Sequence, residues 1–488
     1  MKYYVTTPIY YVNANPHIGH TYTTLIADIM ARYKRLRGFE VFFLTGTDEH
    51  GDKVAQKAKE NGLKTREFVD QIAGEFKTAW DNLNIQYDIF YRTTSSEHKK
   101  GVEHFFKLLK TSGDIYEKDY QGLYCTGCES FKTDKELVEG GCPDHKVKPK
   151  LVKERNYFFN LTKYLPKIKE KIEKDEISIK PKSKKNEVLG LFKQNLEDFS
   201  ITRENVNWGI DLPFDKNQKI YVWVEALMNY VTALNFGRKG AESEEFKKFW
   251  PADLHLMAKE IIKFHAIYWP AILMACKLET PKEIFVHGYF TINGEKMSKS
   301  LGNVIAPEEL VKKWGVDATR YLVISQFPLG IDGDFSIDKM QARYESRLAN
   351  DLGNLLSRTV AMMNKYEVPA VQFSGNPYSQ DANNLLVFDS TDHFKAPQET
   401  IIKHFDNLKI TKVTEIIEKI IINSNKYLEE NKPWELAKTD PAKCRAVLQN
   451  VYTRLVVIAH LLEPFMPDIS KKMINSLEKL EKIILFEK

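Results

Sequence analysis

The chain has 488 residues, 43% apolar and 28% charged, with a formal net charge of +5. That length predicts about two to four domains with ample core, and the composition excludes a disordered or fibrous chain. The small positive balance permits a nucleic-acid partner without arguing for one, and no apolar run reaches the ~18 residues of a membrane span.

The first strand begins almost at Met1, which leaves no room for a leader. Five cysteines are present, three of them (Cys125, Cys128, Cys142) close together. An odd, clustered count suits a reducing compartment and a metal better than a disulfide framework. A cytoplasmic protein is expected; a mature organellar chain stripped of its leader would look the same.

In chain order, "KYYVTTPIYYV" is β-branched and aromatic and reads as a strand. Apolar residues at Tyr22, Leu25, Ile26, Ile29, Tyr33 and Leu36 then follow helical spacing. Asn15 is the expected N-cap, Pro16 the first helical residue and Gly38 the stop. His17 and His20 thus fall on the first turn of a helix leaving a strand. "EVFFLTGTDEHG" reads as a buried strand at Val41–Leu44 ending in a polar loop. Helical patterns follow at 51–61, 65–84 and 97–112. Such alternation predicts a parallel sheet with ligands at the carboxyl ends of its strands.

Residues 116–215 change character and read as an inserted domain. Its lysine run, Lys180–Lys185, is a solvated surface or a phosphate contact. From Lys219 the α/β pattern resumes. "KIYVWVEAL" reads as a strand entering a helix, "DLHLMAKEIIKFHAIYWPAILMAC" as a strand end and a long amphipathic helix, and "EIFVHGYF" as a strand. Beyond about Ile337 the segments 338–365, 396–431 and 435–463 are periodic at 3.6 residues and predict an all-α bundle.

Three motifs carry chemistry. In "PHIGH", helix N-terminal N–H groups and two imidazoles at i and i+3 suit an anion such as a nucleotide triphosphate. Gly19 would let a ring or phosphate approach the backbone. Taken alone, the motif is equally two surface histidines near a cap. "GEKMSKSLGN", with Lys296, Ser298, Lys299 and Ser300 between glycines, reads as a mobile cationic loop able to close over a pyrophosphate. Third, Cys125-x2-Cys128 and Cys142-x2-His145 have the spacing of a closed tetrahedral zinc site, structural because no position is left open.

"HIGH" after the first strand and "KMSKS" after a later one form the paired signature of class I aminoacyl-tRNA synthetases. With "TPIYYVNANPHIGH", "FLTGTDEHGDKV", "YVWVEALMNY", "AKEIIKFHAIYWPA", "HGYFTINGEKMSKSLGN" and "NKPW", the chain resembles methionyl-tRNA synthetases over essentially its full length. The resemblance implies an α/β fold: a Rossmann-like parallel-sheet catalytic domain split by a zinc-binding connective insertion, then an all-α anticodon-binding bundle. The boundaries would be 1–115 and 216–337 for the two catalytic halves, 116–215 for the insertion with one zinc knuckle, and 338–488 for the bundle.

The resemblance also implies roles. His17, His20, Lys296 and Lys299 would be catalytic. Gly19, Lys259, Glu260, Ser298 and Ser300 would contact ATP. Asp48 would face the methionine ammonium, and Ile9, Tyr11, Trp223, Leu227, Tyr230, Ile261, His265 and Trp269 would form the thioether pocket. There, aromatic rings favour sulfur, and a Tyr–OH or His N–H could hydrogen-bond it weakly. Ile261, His265 and Trp269, at i, i+4 and i+8, would share one helix face. The alternative for each pocket residue is ordinary core packing, for Ile9 and Leu227 above all. Leu227 also stands where some relatives carry proline. Asn350, Asn354 and Arg358 line a helix face and, with Trp434, would read the CAU anticodon. Without the upstream motifs they would read as a polar face and a helix anchor.

The implied activity is methionine–tRNA ligation. ATP and Mg²⁺ support adenylate formation, and transfer follows to the 3′ terminal adenosine of tRNA(Met), at the 2′-hydroxyl as class I implies, for initiation and elongation. One structural Zn²⁺ is implied. The insert of about 100 residues is too small for the editing domain of isoleucine, leucine or valine enzymes. No cysteine precedes the first histidine motif, unlike a cysteine enzyme. A nucleotidylyltransferase would need neither the bundle nor the zinc insert. The short C-terminal end predicts a monomer.

Overall fold

The computed structural model describes residues 1–125, 127, 130–132, 137–143, 147–238, 243–297, 302–371, 378 and 398–487. Pro8 lacks an amide proton and interrupts the opening strand. "KYYVTTPIYYV" therefore forms β1 (Lys2–Thr6) and β2 (Tyr10–Tyr11). Helix α1 (Ile18–Leu36) is capped by His17, not Asn15. The two imidazoles close a reciprocal capping box, so Pro16 lies outside the helix. Gly38 does follow the last turn, at φ +78°.

Then come β3 (Glu40–Asp48), α2 (Asp52–Glu60), α3 (Thr65–Asn82), β4 (Ile89–Arg92) and α4 (Ser96–Ser112). In the next stretch β5 (Ile115–Cys125), β6 (Ser130–Lys132) and β7 (Lys150–Phe159) are antiparallel neighbours. They are followed by α5 (Leu165–Glu173), β8 (Ser178–Lys180), α6 (Lys182–Leu191) and β9 (Phe199–Ser200), which extends that sheet beside β7. Strands β10 (Thr202–Arg203), β11 (Asp211–Leu212) and β12 (Asp215–Ile220) form a small sheet of their own. In the lysine run, Lys180 pairs with Glu283, Lys184 with Glu187 and Lys185 with Asp175, the arrangement of a solvated surface.

Helices α7 (Val222–Leu227), α8 (Asn229–Thr232) and α9 (Glu244–Phe249) lead to β13 (Leu254–Ala258). The long helix expected next is broken into a 3₁₀ turn (Lys259–Ile261), a π turn (Phe264–Tyr268) and α10 (Trp269–Ala275). Strand β14 (Glu283–His287) precedes a hairpin of β15 (Phe290–Ile292) and β16 (Glu295–Lys296). Its turn residues, Asn293 and Gly294, both have positive φ, +51° and +81°. An Asn-Gly pair is the sequence that such a turn favours. Helices α11 (Pro307–Trp314) and α12 (Val316–Ile324) precede β17 (Gly333–Phe335), which lies parallel to β15.

The main sheet is parallel throughout, in the order β4–β3–β1–β13–β14–β8, with β2 continuing β1 along the far end of β3. Strand β8 thus carries part of the 116–215 stretch back into this sheet. The chain order reverses between β1 and β13, and the crevice at their carboxyl ends is where such sheets bind ligands. From β1 the chain passes through β2 to His17; from β13 it passes to Lys259 and Glu260.

The remainder is helical among the described residues. Helix α13 (Ile337–Arg343) runs through a π stretch (Tyr344–Gly353) into α14 (Asn354–Lys365). Helices α15 (Gln398–Asp406), α16 (Ile410–Asn431), α17 (Pro433–Thr439) and α18 (Pro441–Leu462) follow, with α19 (Pro467–Lys479) beyond the last periodic segment. The bundle shares one continuous apolar core with the α1 side of the sheet.

At that junction the Arg320 guanidinium is wholly buried. It lies 2.6 Å from Asp28 Oδ2 and donates to the Leu83, Phe465 and Pro464 carbonyls. Asp28 also accepts from Arg32 and from the Gln86 amide. Burial pushes the Asp28 carboxyl up, but Arg320 and Arg32 outweigh it and leave it below its ordinary value. The stabilisation this gives is present above the unfolded value and is lost as the pH falls through the depressed one. Asp28→Asn strands a buried cation and should cost about 3–5 kcal/mol, read as a lowered denaturation midpoint.

Candidate active site

The first turn of α1 sets the chemistry of both histidines. The Gly19 amide donates to His17 Nδ1 at 3.1 Å, and the His17 amide donates to His20 Nδ1 at 3.3 Å. The rings stack with centroids 3.7 Å apart. Since each Nδ1 accepts, each neutral imidazole carries its proton on Nε2. His20 packs beside Tyr10 and Phe76. Burial, then the neighbouring His17, hold it well below its ordinary value of 6.5, so it is a neutral donor near pH 7.

Gly19 is required by this cap. A Cβ there would stand 2.7 Å from His17 Cε1 and 2.8 Å from its Nδ1. The expected space for a ring or phosphate is thus taken up first by the His17 ring. The same Cβ position is 3.5 Å from the Met297 methyl, and the Ile18 amide donates to the Ile305 carbonyl at 2.9 Å. These two contacts set the histidine turn against the two ends of the lysine loop, far away in the sequence.

That loop springs from the β15–β16 hairpin. Asp334 holds the hairpin by accepting from the Thr291 hydroxyl (2.6 Å) and the Gly294 amide (2.7 Å). Lys296 is described by its backbone, paired with Thr291; Ser298, Lys299 and Ser300 lie outside the described residues. Across the crevice, Lys259 Nζ sits 3.0 Å from Asp332 Oδ2 and 3.6 Å from the Tyr289 ring. Glu260 is exposed.

Asp48 ends β3, buried, paired with Tyr11 and accepting the Val12 amide on its carbonyl at 3.1 Å. Ile9 and Tyr11 are half-buried in the segment that passes beside it. The aromatic wall is a linked set. The Tyr230 hydroxyl is 2.7 Å from His265 Nε2, and His265 Nδ1 is 2.9 Å from the Ile261 carbonyl. A carbonyl only accepts, so His265 carries its proton on Nδ1 and Tyr230 donates to Nε2. Burial lowers His265 to about 4, which keeps it neutral. Neither group therefore offers the sulfur-directed donor expected from the sequence. Trp269 is wholly buried near Tyr230, Phe105 and Trp250. Trp223 stacks on Phe264 at 4.7 Å, and Leu227 is in the core.

The π turn moves Ile261, His265 and Trp269 off a single α-helical face; the His265–Ile261 bond still ties two of them together. A buried residue missed from the sequence is His287, whose Nε2 meets the Thr23 hydroxyl of α1 at 2.7 Å while its Nδ1 donates to the Gly288 carbonyl. It stands in the quoted "HGYF", which was the available signal.

Among the zinc candidates, Cys125 and Cys142 are described and buried, at the end of β5 and just after a tight turn. Cys128 and His145 lie outside the described residues. Two buried thiols, one at the end of a sheet strand and one in the connection beyond it, fit a structural metal.

In the bundle Asn350, Asn354 and Arg358 are exposed. Arg358 pairs with Glu429 at 2.7 Å, and its guanidinium lies 5.9 Å from the half-buried Trp434 ring, so these two candidates meet.

Residues 3–150 and 144–360 match the family model of class I tRNA synthetases (M), and residues 374–484 that of the anticodon binding domain of methionyl tRNA ligase. The chain belongs to the methionyl-tRNA synthetase family. It is 44% identical to a methionine–tRNA ligase of Caldanaerobacter subterraneus over 99% of this chain and 75% of that one. The corresponding enzyme of Thermotoga maritima is 43% identical over 99% and 76%. A solved methionyl-tRNA synthetase of Mycobacterium tuberculosis in complex with methionyl-adenylate matches with TM-score 0.88 at 36% identity, covering 97% of this chain and 94% of that one. Its apo form matches at 0.79 with 33% identity and coverage of 97% and 92%.

The cap geometry predicts a spectrum. ¹⁵N NMR should show His20 protonated on Nε2 alone at pH 6.5. Gly19→Ala, which displaces the His17 ring, should lose the His17 tautomer preference.

Proposed function

We propose that this chain is a methionine–tRNA ligase. It joins the methionine carboxylate to the α-phosphate of ATP, releases pyrophosphate, and passes the methionyl group to the 3′ terminal adenosine of tRNA(Met). The observation that carries this reading is the meeting of the two motifs: Met297 against Gly19 and Ile305 on the Ile18 amide. A neutral donor pair on a helix N-terminus thus lies beside Met297 and Ile305, described residues on either side of Lys299 in the sequence.

In the first step a methionine carboxylate oxygen bonds to the α-phosphorus as the bond to the β-phosphate oxygen breaks. His17 and His20 offer their Nε2–H groups to phosphate oxygens whose charge rises in the transition state. The α1 N-terminus adds its own positive end. Lys296 and Lys299 neutralise the departing pyrophosphate, with Ser298, Ser300 and the Gly19 turn lining its path and Mg²⁺ accompanying the phosphates. Glu260 reaches the ribose. Lys259 reaches a phosphate after leaving Asp332. No covalent enzyme intermediate is required, because orientation and electrostatics suffice.

Asp48 meets the substrate ammonium. Ile9, Tyr11, Trp223, Leu227, Tyr230, Ile261, His265 and Trp269 enclose the thioether. In the bundle Trp434 stacks an anticodon base while Asn350, Asn354 and Arg358 read base edges. The donor set Cys125, Cys128, Cys142 and His145 would hold one structural zinc, supplying a fixed crosslink to the insertion. The boundaries at 115, 215 and 337 divide catalytic halves, insertion and bundle. Among the described residues no helix is long and apolar enough to cross a membrane; a cytoplasmic monomer is the state proposed.

Methionine alone among the amino acids should support ATP–pyrophosphate exchange; exchange driven by isoleucine or cysteine instead of methionine would sink the assignment. Separately, Lys299→Ala should slow adenylate formation about a hundredfold or more while methionine affinity, read by calorimetry, holds.

A further inference from the structure

The carboxylate of Glu225 is wholly buried in α7, between Trp223 and Leu227, and none of the roles above uses it. Its Oε1 lies 2.8 Å from His50 Nδ1 and its Oε2 2.7 Å from His98 Nε2. The other His98 nitrogen lies 2.8 Å from the Thr232 hydroxyl. Both histidines are buried too, at 2% and 0% exposure. Burial would push the Glu225 carboxyl up; His50 and His98 reverse this and hold it below its ordinary value. A charge removed from water this completely persists only where its lone pairs are filled. Here two imidazole N–H groups from two different elements fill them.

What the cluster holds is the chain that leaves Asp48. His50 stands two residues after it. Between them Glu49 accepts from Arg92 at 2.6 and 3.0 Å, from the Thr47 hydroxyl at 2.6 Å and from the Thr94 hydroxyl. Its amide donates to Thr93 Oγ1 at 2.9 Å, and its carbonyl accepts Trp208 Nε1 at 2.6 Å. On its other side Asp48 is fixed in β3 against Tyr11. The exit from Asp48 is thus locked twice, at Glu49 by β4 and at His50 by α7. A recognition group pays off only when its direction is set within a fraction of an ångström.

We propose that Glu225 is a positioning residue for methionine recognition, acting through His50 to aim the Asp48 carboxylate at the amino acid's ammonium group. The inference rests on the assignment of Asp48 to that ammonium. It needs an ionised carboxylate at 225, because both histidines donate to it. A glutamine there has one acceptor and one donor, so one N–H loses its partner.

The test compares methionine with 4-(methylsulfanyl)butanoate, the same molecule without its ammonium, by calorimetry on the full chain. Glu225→Gln should weaken methionine about tenfold and leave the ammonium-free acid and the KM for ATP within about twofold. His50→Leu should do the same. His50→Gln, which keeps an amide N–H toward Glu225, should restore most of the loss. The His50 pair decides the matter if Glu225→Gln does not fold. Equal weakening of both acids would reduce the cluster to a structural prop and overturn the proposal. Asp48→Asn separates the two levels. If it leaves the preference for methionine over the ammonium-free acid intact, the Asp48 assignment falls and the proposal with it. If it abolishes that preference while Glu225→Gln and His50→Leu do not, the positioning role alone falls.

Discussion

The buried pair of Arg320 and Asp28 is the constraint on which the relative placement of the parts depends. Its guanidinium has no exposure and reaches three segments at once: α1 through Asp28, the end of α3 through the Leu83 carbonyl, and the α18–α19 link through the Pro464 and Phe465 carbonyls. Arginine suits this because its planar fork carries five donors in fixed directions, whereas lysine offers a point charge. The cost of desolvating the pair is large, and apolar packing of equal volume would serve stability as well. What the pair adds is direction: carbonyls at chain turns, which face no strand or helix partner, are brought to one point. The helix that carries His17 and His20 is thereby fixed to the bundle that carries Trp434.

At the other end of α1 the same economy appears on a smaller scale. A helix N-terminus must satisfy its first amides. Here the two histidines do so with their Nδ1 atoms, and that choice fixes where their protons are. Capping and chemistry are therefore one arrangement: the nitrogens that face the backbone accept, and the nitrogens that face outward donate. Asparagine or serine would cap as well, but their remaining donors sit close to the backbone, whereas the imidazole carries its Nε2–H on the far side of the ring.

Much of this was legible in the sequence, and what was not has physical causes. The sheet, the order of strands and helices and the Gly38 stop follow from local periodicity and turn chemistry. The Asn15 cap failed because ordinary cap preference favours short polar side chains, and imidazoles seldom take that part. The broken helix after β13 was invisible because its apolar spacing is helical on average; the 3₁₀ and π turns shift the phase without changing composition. Strand β8 is three residues long, too short to show a period. Helix α19 escaped because it begins at Pro467 with a short polar turn and lies after the strongest periodic run. Among the site residues, "HIGH" and "KMSKS" were readable as motifs. The Glu225 cluster joins positions 50, 98 and 225, and only the fold brings them together. Its one sequence trace is a single acid inside the apolar "YVWVEALMNY".

If the aromatic set around Tyr230 is the thioether pocket, as proposed, it would choose a thioether without a hydrogen bond. Sulfur in methionine accepts weakly and donates nothing. If Tyr230 donated to it, a polar group would be left wanting in every unliganded molecule. Instead its proton is committed to His265, whose own proton is committed to the Ile261 carbonyl. The chain of donors ends in the backbone, so neither side chain leaves a proton uncommitted. On that reading, attraction would come from polarisable contact between sulfur and aromatic faces and from apolar area removed from water. Such a surface separates residues mainly by shape, and a missing methylene in a hydrophobic pocket is worth only about 1–3 kcal/mol. On the same reading, orientation at the ammonium end would have to supply the rest. The rigidity of the Asp48 exit, held by Glu49 and His50, would then bear on recognition as much as the proposed pocket does.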